Sequence, residues 1–181
     1  MTAPNCLDPA SDVVTAFVNA LRQHFDPASD CPPVGGGSAE VRLIVGDDGS
    51  PAVAWEERSD CKAPFLWVRV CRRFRSRTGA FPRAFEGARV CDAKDVFNVL
   101  EVEVGVARCV STKLPASKQV RADEAEYSLD DSWRIERTLW VATCRLGRDD
   151  KRLVATDTVE VFGPEGGLTA WTGRAFVEIG D

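Results

Sequence analysis

Hydrophobic and polar positions along this chain alternate with two different periods. Val14, Phe17, Val18, Leu21 and Phe25 follow the i, i+3, i+4, i+7, i+11 spacing of one helical face. The spacing predicts a helix over residues 12–25, with Ser11 as N-cap and Asp12 in the first turn. Residues 1–10 read as a flexible arm before it. Asp26-Pro27 ends the helix, and Cys31-Pro32-Pro33 and Gly35-Gly36-Gly37 hold no regular structure as far as Ser38. A period of two then takes over. Val41, Leu43 and Val45, followed by Val53 and Trp55, predict a hairpin of residues 40–45 and 51–57 around Gly46-Asp47-Asp48-Gly49-Ser50. Residues 65–74 are apolar on both faces at their start and predict a central strand.

A long connection, residues 76–95, precedes a strand over 99–110. Leu100, Val102, Val104, Val106 and Val110 share one of its faces, opposite Glu101, Glu103, Gly105 and Ala107. The glutamates predict that this second face is solvated. The longest helix is expected over residues 123–146, with Asp123 and Glu126 at capping-box spacing and Gly147 just past its end. Leu129, Ser132, Ile135, Leu139, Ala142 and Leu146 form its stripe, widened by Trp133, Trp140 and Cys144, so the helix is expected to be buried on more than one side. A last hairpin joins residues 153–162 and 168–179 through Gly163-Pro164-Glu165-Gly166-Gly167. On its second strand Trp171, Gly173, Ala175, Val177 and Ile179 share a face, with Gly173 marking a bulge or close packing. The order α-β-β-β-β-α-β-β has no βαβ alternation. It predicts an α+β fold in one domain, residues 1–181: a single mixed or antiparallel sheet with two helices on one face.

Composition narrows the function classes. The 181 residues carry 23 basic and 28 acidic side chains, a net charge of -5, which gives no general basic field for nucleic acid. No apolar run approaches the roughly 20 residues that span a bilayer, and the start lacks the basic and apolar regions of an export signal. No membrane association is expected. The seven cysteines, at 6, 31, 61, 71, 91, 109 and 144, are odd in number and dispersed, without any Cys-x-x-Cys. They read as reduced thiols acting as small hydrophobes, with a bridge between Cys31 and Cys61 as the least implausible exception. The one histidine, His24, falls in the last turn of the first helix, where capping or solvent exposure accounts for it. No nucleophile elbow is present, and the glycine triplet lacks the Gly-Lys-Ser/Thr end of a phosphate loop. No catalytic residue, cofactor or metal is expected.

Three charged groups remain as candidates for contact with partners. Arg69, Arg72, Arg73, Arg75, Arg77 and Arg83 crowd into fifteen residues. They are suited either to phosphates or to a solvated or inter-subunit face, paired with nearby acids. Glu101 and Glu103 lie on one side of a strand. Asp130 and Asp131 beside Arg134 and Arg137 read as helix-surface pairs. The arginine stretch 72–77, the connection 76–95 and the turn 163–167, including Glu165, are the expected contact surfaces.

The element order and several local stretches resemble the tail-terminator proteins of long-tailed bacteriophages, particularly those of actinobacterial phages. The stretches are the short helix over 13–24, Pro64-Phe-Leu-Trp-Val-Arg-Val-Cys-Arg-Arg-Phe74, Leu100-Glu-Val-Glu-Val-Gly-Val-Ala-Arg-Cys109, Asp130-Asp-Ser-Trp-Arg134 and Gly163-Pro-Glu-Gly-Gly167. The resemblance covers nearly the whole chain. It implies a structural virion protein, assembled in the host cytoplasm and placed at the head–tail junction. There it would form a ring, usually of six copies, that caps the tail tube and receives the head. The implied partners are further copies of the chain, the major tail tube protein and a head-closure or neck protein, with DNA only passing through the lumen. Cysteine usage and the 76–95 connection depart from the pattern, which keeps the head-closure and adaptor proteins of the same neck as alternatives. A small α+β enzyme and a nucleic-acid-binding module are further ones.

Overall fold

A computed structural model describes residues 8–45, 61–87, 95–112 and 116–180. Helix α1 (Ala10–His24) is followed by β1 (Val41–Val45), β2 (Phe65–Arg77) and β3 (Val96–Cys109), then helix α2 (Lys118–Arg148), β4 (Val154–Thr156), β5 (Glu160–Glu165) and β6 (Leu168–Ile179). The strands form one mixed sheet in the order β1-β2-β3-β6-β4, with β5 also paired to β6. Among the described residues only β1–β2 is parallel. The fold is α+β, with both helices on one face of the sheet. Val13, Phe17, Leu21, Ile135, Leu139 and Leu146 pack there against Leu66, Leu100, Val102, Val104, Ala175 and Val177. A smaller cluster of Ile44, Phe65, Trp67 and Ala107 lies apart from it.

Several boundaries move, each for a local reason. Helix α1 starts at Ala10, because the Asp8 carboxylate accepts from the Ala10 N–H at 3.0 Å, and Ser11 lies inside the helix. The expected strand over 51–57 lies outside the described residues. β1 runs parallel to β2, and its Leu43 is exposed while Ile44 is buried, the reverse of the alternation expected. β2 continues to Arg77. The connection beyond it begins with the Thr78 N–H donating to the Asp95 carbonyl, and residues 88–94 lie outside the described residues. α2 begins at Lys118, capped by the Ser117 hydroxyl, which accepts from the Val120 N–H at 3.2 Å. It runs past Gly147 to Arg148. The expected strand over 153–162 is two short ones, β4 and β5, both lying along β6. Gly166 and Gly167, with φ of +59° and +79°, make the two-residue turn into β6. Gly173 is a close-packing position: a Cβ there would meet Leu139 Cδ1 at 2.6 Å.

The cysteine reading needs correction. Cys61 and Cys109 are joined by a disulfide, with Cα atoms 5.7 Å apart. The antiparallel ladder pairs Phe65 with Ala107, so the chain entering β2 and the chain leaving β3 meet just beyond it. Closing a separation of 48 residues removes about 4 kcal/mol of chain entropy from the unfolded state. Cys31 is a free, exposed thiol; Cys71 and Cys144 are free and half-buried. Cys6 and Cys91 lie outside the described residues.

Candidate assembly surfaces

β2 decides where the arginines go. A regular strand would send Arg69 and Arg72, three positions apart, to opposite faces. The register slips between Val70 and Arg72, so Cys71 is an extra, bulged residue. Arg69 therefore stands opposite Glu103 and Arg72 opposite Glu101, both on the side away from the helices. Arg69 Nη2 lies 2.8 Å from Glu103 Oε2, and Arg72 Nε lies 2.5 Å from Glu101 Oε2. Arg174, from β6, spans the pair at 3.5 Å from Glu101 and 3.4 Å from Glu103. The Trp67 indole N–H donates to Glu103 Oε1 at 3.2 Å. Burial pushes the Cys71 thiol pKa up, and the Glu103 charge adds to this, so Cys71 has little thiolate character.

The expected solvated glutamate face is thus a buried one. Glu101 and Glu103 are almost fully enclosed, because the stems of three arginines and one indole lie over them. The arginines do not form a single patch. Arg73 and Arg75 fall on the helix side at the end of β2, where Arg73 pairs with Asp8. There they border an open cleft of about 550 Å³ with Pro9, Asn98 and Ile179. Arg77 pairs with Asp95 at 3.5 Å and stacks on Phe85. Arg83 sits in the following turn, exposed, its carbonyl accepting from Ser76 Oγ.

Asp130 pairs with Arg134 at i, i+4 as expected, but both side chains are largely enclosed, and Asp131 makes no such pair along the helix. Asp131 is buried and takes a two-pronged contact from Arg108 at 2.6 and 2.8 Å, while Arg108 also donates to the carbonyls of Gly35 and Gly36. Burial pushes the Asp131 pKa up, and Arg108 offsets part of that. Arg134, also buried, bonds Asp130 at 2.8 Å and the carbonyls of His24, Cys31 and Pro32. Together the two arginines fasten the 26–38 loop to α2 and β3. His24 does not cap or point freely to solvent: it is half-buried, and its Nε2 has no hydrogen-bond partner among the described residues. Burial, then Arg137 and Arg134, holds its pKa below the ordinary value. The sequence reading missed Arg108, Arg174 and Trp67. Their roles depend on which strands are neighbours, and spacing along the chain carries no signal of that.

The exposed apolar residues are the remaining candidates. The α2 stripe is split: Ile135, Leu139, Ala142 and Leu146 face the sheet, whereas Leu129, Trp133 and Trp140 face outward, 72%, 48% and 51% exposed. At the sheet margins, Leu43 on β1 and Val161 and Phe162 on β5 are each more than half exposed. Glu165 ends β5 at the turn. Among the described residues no group of three or more His, Cys, Asp or Glu side chains is arranged to hold a metal ion, and no helix is long and apolar enough to cross a membrane. Comparison with protein-family models and with curated proteins finds no match to the chain.

Proposed function

We propose that this chain is a structural subunit that closes into a ring capping a phage tail tube and joins the tube to the head, as the tail-terminator resemblance suggests. The observation that carries the reading is the pair of apolar margins on one sheet. Leu43 on β1 and Val161 and Phe162 on β5 lie at its two different ends. A ring needs such unlike, complementary surfaces, because a heterologous contact closes on itself when its rotation divides a full turn. β5 pairs only with β6 among the described residues, so its outer edge offers backbone groups that can extend a neighbour's sheet. DNA would pass the lumen unread, which asks for no base-contacting motif.

The test has two parts. Purified protein viewed by negative-stain electron microscopy should show rings, and Val161→Glu with Phe162→Glu should abolish them while leaving the circular dichroism spectrum intact. Depleting the protein during phage growth should leave filled heads apart from tails of irregular, excessive length. Normal-length tails beside leaking heads would assign the chain to head closure instead. A chain that stays away from the head–tail junction would end the proposal.

A further inference from the structure

The outward face of α2 plays no part in the sheet-edge contacts just described. Leu129, Trp133 and Trp140 stand at i, i+4 and i+11, one exposed stripe about 17 Å long, turned about 120° from Ile135, Leu139 and Leu146. Taking about 250 Å² for a whole tryptophan, the three side chains present about 350 Å² of apolar surface. A standard interface gives each partner about 800 Å², of which roughly 450 Å² is apolar. One helix face thus supplies most of the apolar content of a stable contact. Two guanidiniums lie over the indoles: Arg137 at 4.6 Å from the Trp140 ring and Arg134 at 5.7 Å from that of Trp133.

The charges beside the stripe indicate what covers it. Helical geometry at 100° per residue puts Glu136 on one flank and Arg137 on the other, about 50° to either side of the stripe's centre. Glu136 is exposed. If a second copy packs the same stripe in parallel, about a two-fold axis running along the helices, each flank meets the opposite flank of the other copy. Glu136 of each copy then faces Arg137 of the other, twice over, while Trp133 meets Trp133 and Trp140 meets Trp140. The antiparallel arrangement sets each flank against itself, Glu136 on Glu136 and Arg137 on Arg137. Flanking charges of this kind choose partner and direction in paired helices. An unrelated hydrophobic partner or a lipid surface would have no use for this matched pair.

We infer that the outer face of α2 is a self-association surface on which two copies of the chain pair in parallel through Leu129, Trp133 and Trp140. The contact is isologous and separate from the sheet-edge contacts of a ring, so either can fail without the other.

The experiment measures mass by sedimentation equilibrium in the Val161→Glu, Phe162→Glu background, which removes sheet-edge assembly. That protein should be a dimer. Glu136→Arg alone, or Arg137→Glu alone, should weaken the dimer about tenfold or more, and the two together should restore it. Trp133→Ala with Trp140→Ala should give a folded monomer. A background protein that stays monomeric overturns the inference. So do single reversals that leave the mass unchanged, the result an antiparallel pair would give, or a double reversal that fails to restore the dimer. If rings are absent from the wild type but the dimer responds as described, the ring proposal fails and this one stands.

Discussion

Toward the helices β3 presents Leu100, Val102, Val104 and Val106; toward the other side it presents Glu101, Glu103, Gly105 and Ala107. All eight are buried. On the first side water is excluded by aliphatic packing, which is non-directional and adjusts locally when a group is lost. On the second side it is excluded by a lattice of charge-assisted hydrogen bonds over a flat indole, in which every member depends on its neighbours. The two faces of one strand therefore reach the same burial with different tolerances for change.

The sharpest way to break the contrast is to cut equally at adjacent positions. Glu103→Ala leaves Arg69 largely enclosed without its carboxylate and the Trp67 indole N–H without an acceptor. It should cost about 3–5 kcal/mol. Val102→Ala, on the aliphatic side, should cost about 2 kcal/mol. Urea denaturation of both variants measures the difference, and equal losses would mean that the charged lattice behaves like ordinary packing. The glycines give the next comparison. A Cβ at Gly105 would meet the enclosed Trp67 ring at 2.1 Å, whereas one at Gly173 would meet the flexible end of Leu139 at 2.6 Å. Gly105→Ala should lose about 3 kcal/mol and Gly173→Ala about 1 kcal/mol, read from the same denaturation curves.

The smallest effect concerns an imidazole whose Nε2 has no hydrogen-bond partner among the described residues. His24 sits half-buried at the end of α1 with two arginines near it, and its pKa is lowered chiefly by burial. The unfolded chain, with an imidazole pKa of about 6.5, binds the proton more readily than the folded one. Stability is therefore complete above about pH 6.5 and declines as the pH falls from there toward the lowered folded-state value. His24→Gln should flatten that part of a melting-temperature profile recorded against pH. An unchanged profile would place the acid sensitivity elsewhere.

The aliphatic side was legible in the sequence because a period of two or 3.6 is visible within each element. Leu100 to Val106 and Ala175 to Ile179 lie where the spacing puts them, as do Phe17, Leu21 and Phe25 of the α1 stripe, whereas Val14 and Val18 are half-buried at its margin and Val13 is fully buried beside them. The charged side was not, because Glu101 and Glu103 alternate with valines just as solvated residues would. Only the neighbouring strands, through Arg69, Arg72 and Arg174, turn them inward. The same reason hid the bridge between Cys61 and Cys109, which register brings together. It also hid the inward turn of Asp131, which depends on Arg108 reaching across from β3. The outward position of Trp133 and Trp140 was concealed differently: on a helix with so many apolar positions, spacing does not distinguish a second exposed stripe from a wide buried one.

The bulge at Cys71 makes one position in β2 dispensable in a way its neighbours are not. Excising Cys71 would join Val70 directly to Arg72 and restore an unbroken ladder, with Val70 still opposite Val102 and Arg72 still opposite Glu101. Excising Val68 instead would close the bulge only by moving Arg69, Val70 and Cys71 one place along the ladder, sending Arg69 among the aliphatic groups and Val70 into the charge lattice. Single-codon deletions scanned along β2 should yield folded, soluble protein at residue 71 and insoluble protein at residue 68. Variation in the length of this strand would then accumulate at a single codon.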